Sequence, residues 1–243
     1  MINMEETNKT IDYYNSNAAQ YFSSTVNVDM SECCERFLKY VVPGGRIIDI
    51  GAGSGRDIKY FKDRGYAVEG IDASEEMCRL AADYSGAEVS CDSIQDWHPE
   101  GKYDGIWANA SLLHLLLNEI EEFVCRASDY LKPNGVFYIS MKTGIQTGCD
   151  NNGRFFTDFS EEKVQQIVAK STSLEIIDTW ITAVSAKYSC GFPDPQVLPI
   201  IVVERYLDYF TTIMEGRLWQ VLAKPVFRWQ NKFGLSMNAA KAA

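Results

Sequence analysis

The sequence predicts an α/β fold in which a single domain is built around a doubly wound, mostly parallel sheet of seven strands, with helices on both faces. Three observations lead to this prediction. Short apolar runs alternate with helical patterns from residue 46 to residue 141, a glycine-rich loop follows the first run, and acidic residues follow the next two. Alternating strands and helices are typical of βαβ units, whose crossovers cover both faces of a parallel sheet.

The strands are predicted from runs of apolar and β-branched residues that end at turn residues. The first run, RIIDI, is ended by Gly51. The turn signal KPNG comes just before the fifth run. In chain order the predicted strands are RIIDI (46–50), YAVEGID (66–72), AEVSCD (87–92), YDGIWANA (103–110), GVFYISMK (135–142) and LEIIDTWIT (174–182).

Capping residues delimit the helices between these strands. Gly65 occupies the position just after a helix that glycine favours. Ser74 is a predicted N-cap, and Glu75 and Glu76 lie in the first turn, where the helix dipole favours negative charge. The predicted helices are YYNSNAAQYF (13–22), SGRDIKYFKDRG (54–65), SEEMCRLAADYSG (74–86), NEIEEFVCRASDYL (118–131) and SEEKVQQIVAKS (160–171).

The C-terminal part of the chain departs from this alternation. Three prolines precede IIVVERYLDYFTTIM (200–214), whose apolar residues recur at helical spacing, and RLWQVLAKP (217–225) reads as the last strand. We therefore expect a core with an N-terminal lid helix at 1–184, an insertion between strands six and seven at 185–216, and the last strand with a basic, aromatic tail at 217–243.

Composition narrows the class of protein. The formal net charge of −10 disfavours a nucleic-acid substrate, because an acidic surface repels phosphates. Seven scattered cysteines without a C-x-x-C motif and only two histidines favour reduced thiols and no metal site. No 18-residue apolar run predicts a membrane span, and the polar, acidic start lacks a signal-peptide pattern. A cytoplasmic location is the resulting expectation, and the oligomeric state is left open.

The loop DIGAGSG (49–55) could bind either a phosphate or a nucleoside without phosphates, because its glycines let a ligand approach the backbone closely. The dinucleotide fingerprint requires G-x-G-x-x-G, but Arg56 occupies the place of the last glycine, which disfavours a dehydrogenase. The loop resembles the first motif of class I S-adenosylmethionine-dependent methyltransferases, which have a Rossmann-like fold. The order of the later motifs agrees with this resemblance: Asp72 ends the second strand, Asp92 and Ser93 follow the third, and WANASLLHL (107–115) follows the fourth.

The resemblance implies S-adenosylmethionine as the cofactor, with S-adenosylhomocysteine as the product. It places the ribose hydroxyls at Asp72, the adenine at Asp92 and Ser93, and the methionine part beside the end of the fourth strand. The predicted cofactor-binding residues are Asp49, Gly51, Ala52, Gly53, Ser54, Gly55, Asp72, Ala73, Met77, Asp92, Ser93, Ile94, Asn109 and Ala110.

His114 is the candidate general base, because it lies five residues after Asn109, next to the expected methyl group. An unperturbed imidazole titrates at about pH 6–7, so activity is expected to rise across that range. In the resemblance the N-terminal helix closes over the cofactor. A long polar loop at 142–159 follows the fifth strand, and Lys142 and Arg154 would place positive charge near the pocket, which would suit an anionic acceptor. The alternative is that Arg154 pairs with Asp150 or Asp158 at the surface. The predicted substrate residues are Tyr13, Tyr14, Tyr21, Phe22, Lys142 and Arg154.

The functional prediction is methyl transfer to oxygen or nitrogen of a small-molecule acceptor. Two alternatives stay open: methylation of a macromolecule docked by the C-terminal tail, and a non-catalytic module that only binds S-adenosylmethionine. The sequence does not distinguish them, because cofactor binding and chemistry use different residues.

Overall fold

The computed structural model describes residues 4–143, 146–171, 173–180, 182–183 and 196–204, and all of them belong to one compact unit. The helices are α1 (Met4–Thr25), α2 (Ser31–Leu38), α3 (Arg56–Lys62), α4 (Glu75–Ser85), α5 (Leu117–Tyr130) and α6 (Glu161–Val168), with a 3₁₀ turn at Leu112–His114. The strands are β1 (Arg46–Ile50), β2 (Ala67–Asp72), β3 (Val89–Cys91), β4 (Tyr103–Asn109), β5 (Leu131–Thr143), β6 (Gly148–Cys149), β7 (Phe155–Phe156), β8 (Leu174–Thr179), β9 (Thr182–Ala183) and β10 (Gln196–Glu204).

Five strands form a parallel sheet in the order β3-β2-β1-β4-β5. Beyond β5 the sheet continues with β10, which runs antiparallel to β5, β8 and β9. The α/β class and the parallel arrangement of the first five predicted strands are therefore confirmed. The predicted last strand at 217–225 and the basic tail lie outside the described residues.

Neighbouring residues of each strand pack on opposite faces of the sheet. In β4, Ile106 packs with α5 and α6 on one face, whereas Trp107 packs with α2 and α3 on the other. β1 alternates in the same way, with Ile48 on the first face and Ile47 on the second. The period-two alternation of buried side chains places helices on both sides of the sheet.

Part of the predicted C-terminal helix is wrong. Residues 200–204 belong to the strand β10 rather than to a helix. Ile200, Ile201, Val202 and Val203 are all β-branched, and such a run favours strand over helix even where its apolar spacing suits both. The segment 185–216, expected as an insertion, thus contributes a strand to the sheet.

Two other regions differ from the sequence prediction. The N-terminal helix α1 is 22 residues long, about twice the predicted length, and α2 was not predicted. The region 142–159, expected as a loop, contains the antiparallel hairpin β6–β7. Within the described part of the chain, no helix combines the length and the apolar content needed to cross a membrane.

Candidate active site

A pocket lies at the carboxyl ends of the parallel strands. Ligands bind at this edge in doubly wound sheets. Its walls come from α1, from the loops after β1, β2, β3 and β4, and from the 3₁₀ turn. The lining residues are Thr10, Ile11, Tyr14, Tyr21, Gly51, Gly53, Asp72, Ala73, Ser74, Met77, Ser93, Ile94, Gln95, Asn109, Ala110, Ser111, His114 and Leu115.

The loop after β1 requires glycine for two separate reasons. Gly51, Gly53 and Gly55 all adopt positive φ, which costs other residues conformational energy. In addition, a Cβ atom at Gly51 would lie 2.4 Å from Cβ of Ser111, and one at Gly55 would lie 2.7 Å from the carbonyl oxygen of Ala81. The glycines therefore allow the loop to pack tightly against β4 and α4.

Asp72 closes the loop from the end of β2. Its carboxylate accepts hydrogen bonds from the backbone N–H groups of Gly53 and Ser74, each at 2.9 Å. Burial raises the pKa of Asp72, while these backbone donors lower it. Asp72 thus holds the glycine loop in place and also presents a polar side chain to the pocket.

Residues after β3 form the outer wall of the pocket. Ser93 and Ile94 line it, together with Gln95, which the sequence analysis did not include. Asp92 is exposed to solvent and lies outside the pocket walls.

A buried network supports the end of β4. The Asp57 carboxylate accepts from Arg56 at 2.6 and 2.9 Å, from Nε1 of Trp107 at 2.9 Å and from Nδ2 of Asn109 at 2.9 Å. The Ser140 hydroxyl donates to Oδ1 of Asn109 at 2.7 Å. We call these five residues the Asp57 network.

The Asp57 network contains a charge in the protein interior. Although burial raises the pKa of Asp57, Arg56 and the hydrogen bonds of Asn109 and Trp107 hold it below its usual value. Asp49, on the neighbouring strand, is also buried, and burial together with the nearby charge of Asp57 raises the pKa of Asp49 well above its usual value. Asp49 lies behind the loop rather than in the pocket wall.

Helix α1 forms a roof over the pocket, and we refer to it as the roof helix. Tyr21 contacts Gly53, since a Cβ atom at that glycine would lie 3.7 Å from the tyrosine ring. Asn15 accepts a hydrogen bond of 2.7 Å from the Ser74 hydroxyl, which also caps α4 by accepting from the N–H of Met77. The roof helix is thereby attached to the start of α4.

Tyr14 and His114 meet on the inner wall. The Tyr14 hydroxyl lies 3.0 Å from Nε2 of His114, and Nδ1 of His114 lies 2.6 Å from the carbonyl oxygen of Phe155. Because a carbonyl oxygen only accepts, Nδ1 carries the proton of the neutral imidazole. Nε2 is then the acceptor, and the Tyr14 hydroxyl donates to it.

The structure favours a different pH dependence for His114 from the one predicted from the sequence. Burial lowers the pKa of His114 to about 3, which keeps the imidazole neutral throughout the physiological range. This shift could not be predicted from the sequence, because the groups that surround His114 include Tyr14 and Phe155, which are distant along the chain.

The two cations predicted for the substrate site lie outside the pocket wall, although both are close enough to lower the pKa of His114. Arg154 forms an ion pair with Asp150, with N···O distances of 2.6 and 2.9 Å, and its guanidinium lies 4.8 Å from the ring centre of Tyr13. Lys142 places its Nζ atom 5.0 Å from the ring centre of Phe156. Neither Lys142 nor Arg154 lines the pocket.

The pocket brings together twelve of the predicted site residues: Gly51, Gly53, Asp72, Ala73, Met77, Ser93, Ile94, Asn109, Ala110, Tyr14, Tyr21 and His114. The other predicted residues lie outside its walls; they are Asp49, Ala52, Ser54, Gly55, Asp92, Tyr13, Phe22, Lys142 and Arg154. Phe22, for example, packs edge-on against Tyr84.

Several residues of the site were missed from the sequence. Among them, Asp57 and Asn15 carried no distinguishing pattern. Ser140 did carry a signal, since it is the single serine in the otherwise apolar and aromatic strand segment FYISM, and it is completely buried.

The residues present fit a nucleoside cofactor. The glycine loop allows close approach of a ligand, and Asp72 supplies an acceptor for hydroxyl groups at the end of β2. Ser111 lines the same pocket with a buried hydroxyl oxygen that has no hydrogen-bond partner among the described residues. A buried polar atom of this kind is normally satisfied by a protein group, a water or a ligand.

Comparisons with known proteins agree with the predicted fold. Residues 22–166 match the family model for a methyltransferase domain. The chain is 34% identical to the mouse N-terminal Xaa-Pro-Lys N-methyltransferase 1, over 38% of this chain and 45% of that protein. It is 31% identical to the Arabidopsis thaliana α N-terminal protein methyltransferase 1, over 38% of this chain and 37% of that protein. The chain thus spans less than half the length of these curated relatives.

Solved structures share the fold at low sequence identity. The Burkholderia thailandensis 1,6-didemethyltoxoflavin-N1-methyltransferase, solved with its acceptor and S-adenosylhomocysteine, has a TM-score of 0.64 and 19% identity, over 82% of this chain and 87% of that one. The Synechocystis magnesium protoporphyrin IX methyltransferase, solved with S-adenosylmethionine, has a TM-score of 0.62 and 15% identity, over 84% of this chain and 99% of that one. The chain therefore belongs to the methyltransferase-domain family and has the class I S-adenosylmethionine-dependent methyltransferase fold.

Proposed function

We propose that this protein transfers a methyl group from S-adenosylmethionine to an oxygen or nitrogen atom of a small-molecule acceptor. One observation argues against the surface of a folded protein as the acceptor: the pocket is roofed by α1, which is attached to α4 through Asn15 and Ser74 and to the inner wall through Tyr14 and His114. A roofed pocket admits a small molecule or a flexible chain end more readily than the surface of a folded protein.

The order of the strands supports a proposed arrangement of the cofactor in the pocket. An acidic residue after β2 of a doubly wound sheet is suited to accept ribose hydroxyls, so we propose that the ribose binds at Asp72. Ser93 and Ile94, after β3, would then face the adenine. Because β4 lies on the other side of β1, the amino-acid part would extend across the glycine loop towards Asn109 and Ala110.

S-Adenosylmethionine supplies an activated methyl group on a sulfonium, which becomes a neutral thioether when the acceptor takes the methyl group. The chain itself must align the acceptor and receive any proton that the acceptor loses. We assign this proton to the Tyr14–His114 pair. The acceptor proton passes to the Tyr14 oxygen while the Tyr14 proton passes to Nε2 of His114, which leaves tyrosine neutral and the imidazole charged.

The low pKa of His114 limits how much this transfer contributes. A base with a pKa of about 3 holds a proton weakly at neutral pH, so alignment supplies most of the rate. We therefore expect proton transfer to contribute at the lower end of the usual range, roughly 10²-fold.

The charges around the pocket favour an uncharged acceptor. Among the described residues, the pocket wall contains no lysine or arginine. Arg154 is bound to Asp150, and the side chains around the inner wall are Thr10, Ile11 and Leu115 together with Tyr14 and His114. Arg154 lies close enough to Tyr14 and His114 to affect their pKa values, but its charge is paired with that of Asp150, so an anionic acceptor would compete with Asp150 for it.

Methylation of a protein N-terminus is the second candidate. It is favoured by the curated relatives, which are named for this activity, and a flexible chain end would also fit beneath a roof. Labelled S-adenosylmethionine separates the candidates when the purified protein is incubated with cell extract divided into small molecules and macromolecules. We expect label in the small-molecule fraction, whereas label confined to protein would favour the second candidate.

A variant with a damaged glycine loop measures how much labelling occurs without methyl transfer by this protein. Gly51→Ala places a Cβ atom against Ser111 and should abolish labelling in either fraction. If the wild-type chain binds S-adenosylhomocysteine but labels neither fraction, the protein acts as a binding module and methyl transfer is contradicted.

A further inference from the structure

Ala110 is held in an unusual backbone conformation at the pocket wall. Its φ of 54° is one of two positive values among the non-glycine residues that the structure describes. Residues other than glycine rarely adopt this left-handed conformation, and such residues persist only where their surroundings impose it. Ala110 also lines the pocket at the end of β4.

The backbone of Ala110 is bound by the last member of the Asp57 network. Its N–H donates to the Ser140 hydroxyl at 2.8 Å, and this hydroxyl in turn donates to Asn109. Because the one Ser140 proton is directed at Asn109, the Ser140 oxygen is left as an acceptor for the N–H of Ala110. The direction of each hydrogen bond in this chain is therefore determined.

The other end of the network is fixed by a buried ion pair. Asp57 has four hydrogen bonds, two from Arg56 and one each from Trp107 and Asn109, so its carboxylate has little freedom to move. Arg56 also donates to the carbonyl oxygen of Thr25, at the end of the roof helix, at 3.4 Å. The residue that replaces the third glycine of the dinucleotide pattern thus anchors a polar chain running beneath the pocket.

We propose that Arg56, Asp57, Asn109 and Ser140 are positioning residues, which hold Ala110 in its left-handed conformation and so set the part of the pocket that receives the amino-acid end of the cofactor. This inference rests on the proposed function. It predicts that the network affects binding of the amino-acid part of the cofactor and leaves binding of the adenosine part nearly unchanged.

Calorimetry with two ligands tests the proposal, since S-adenosylhomocysteine has the amino-acid part and adenosine lacks it. Ser140→Ala removes the acceptor for the N–H of Ala110 and should weaken binding of S-adenosylhomocysteine roughly tenfold, with little change for adenosine. The matched control is Ser128→Ala, which removes an exposed hydroxyl from α5 and should change neither affinity.

A second substitution distinguishes positioning from general damage. Glycine adopts positive φ without penalty, so Ala110→Gly should restore most of the affinity that Ser140→Ala removes. Equal loss for both ligands in Ser140→Ala would overturn the proposal, as would unchanged binding or a failure of the glycine to restore affinity. If the wild-type chain binds neither ligand, the proposed function itself is contradicted, which is a separate result.

Discussion

At the scale of single residues, Asp72 and Asp92 are two of the three acids that the sequence analysis assigned to the cofactor, and the structure separates them. Asp72 lines the pocket and binds two backbone N–H groups, whereas Asp92 is exposed outside the pocket wall. The same residue type at the end of a neighbouring strand therefore has a different environment. The sequence does not reveal this difference, because it depends on where the loop after β3 turns.

Substitution of these two acids by asparagine is a matched comparison. Asp72→Asn leaves one oxygen to accept from the backbone and removes an acceptor from the pocket, so binding of S-adenosylhomocysteine should weaken by about 1–3 kcal/mol. Asp92→Asn should change the affinity much less, because its side chain is exposed. Calorimetry measures both affinities. A larger loss of affinity in Asp92→Asn than in Asp72→Asn would show that the nucleoside binds outside this pocket.

His114 gives a second prediction at this scale. His114→Gln and Tyr14→Phe should each lower the rate of methyl transfer roughly 10²-fold, with nearly unchanged cofactor affinity, because each removes one member of the proton-accepting pair. Tyr13→Phe is the matched control, since Tyr13 lies next to Tyr14 but outside the pocket.

The pH profile of the wild type provides an independent check on His114. With a pKa of about 3, the imidazole contributes no step to the activity between pH 5 and 8. A step near pH 6.5 that disappears in His114→Gln would show that the histidine titrates normally in the working enzyme.

At the scale of helices and strands, the sequence predicted the glycine loop, the first five strands and the N-cap of α4, because each depends on residues close together in the chain. The site contacts that it missed join distant residues. Ser74 and Asn15 are 59 positions apart, Asn109 and Asp57 are 52 apart, and Ala110 and Ser140 are 30 apart. Pattern within one segment carries no information about such pairs.

Two serine caps allow the attachment of the roof helix to be tested. Ser74 caps α4 and Ser160 caps α6, each by accepting from a backbone N–H at 3.3 Å, but only Ser74 also binds the roof helix. Alanine at either position should lower the free energy of unfolding by about 1 kcal/mol. Only Ser74→Ala should also speed hydrogen exchange in α1, and equal exchange in both variants would contradict the attachment.

At the scale of the whole molecule, the lowered pKa of His114 makes folding sensitive to acid. The unfolded chain binds a proton at His114 with a pKa near 6.5, whereas the folded chain does so only near 3. Between these values the unfolded state binds more protons, so the contribution of His114 to stability falls as the pH falls below about 6.5.

Urea unfolding at pH 7 and pH 5 measures this contribution. Between pH 7 and pH 5, the free energy of unfolding of the wild type should fall by roughly 2 kcal/mol more than that of His114→Gln, since one pKa unit corresponds to about 1.4 kcal/mol. Both proteins contain the same carboxylates, so the comparison isolates the histidine. Equal losses would show that His114 is accessible to protons in the folded state.

The position of the roof helix bears on which step limits the rate of the catalytic cycle. Tyr14 and Tyr21 of α1 line the pocket, and Asn15 attaches the same helix to α4, so a motion of α1 would widen the path for substrate and product. Motions of this kind limit the overall rate in many enzymes whose chemistry is fast. We expect the first round of methyl transfer to appear as a burst, and Ser74→Ala, which removes the attachment, to raise the steady-state rate while leaving the size of the burst unchanged.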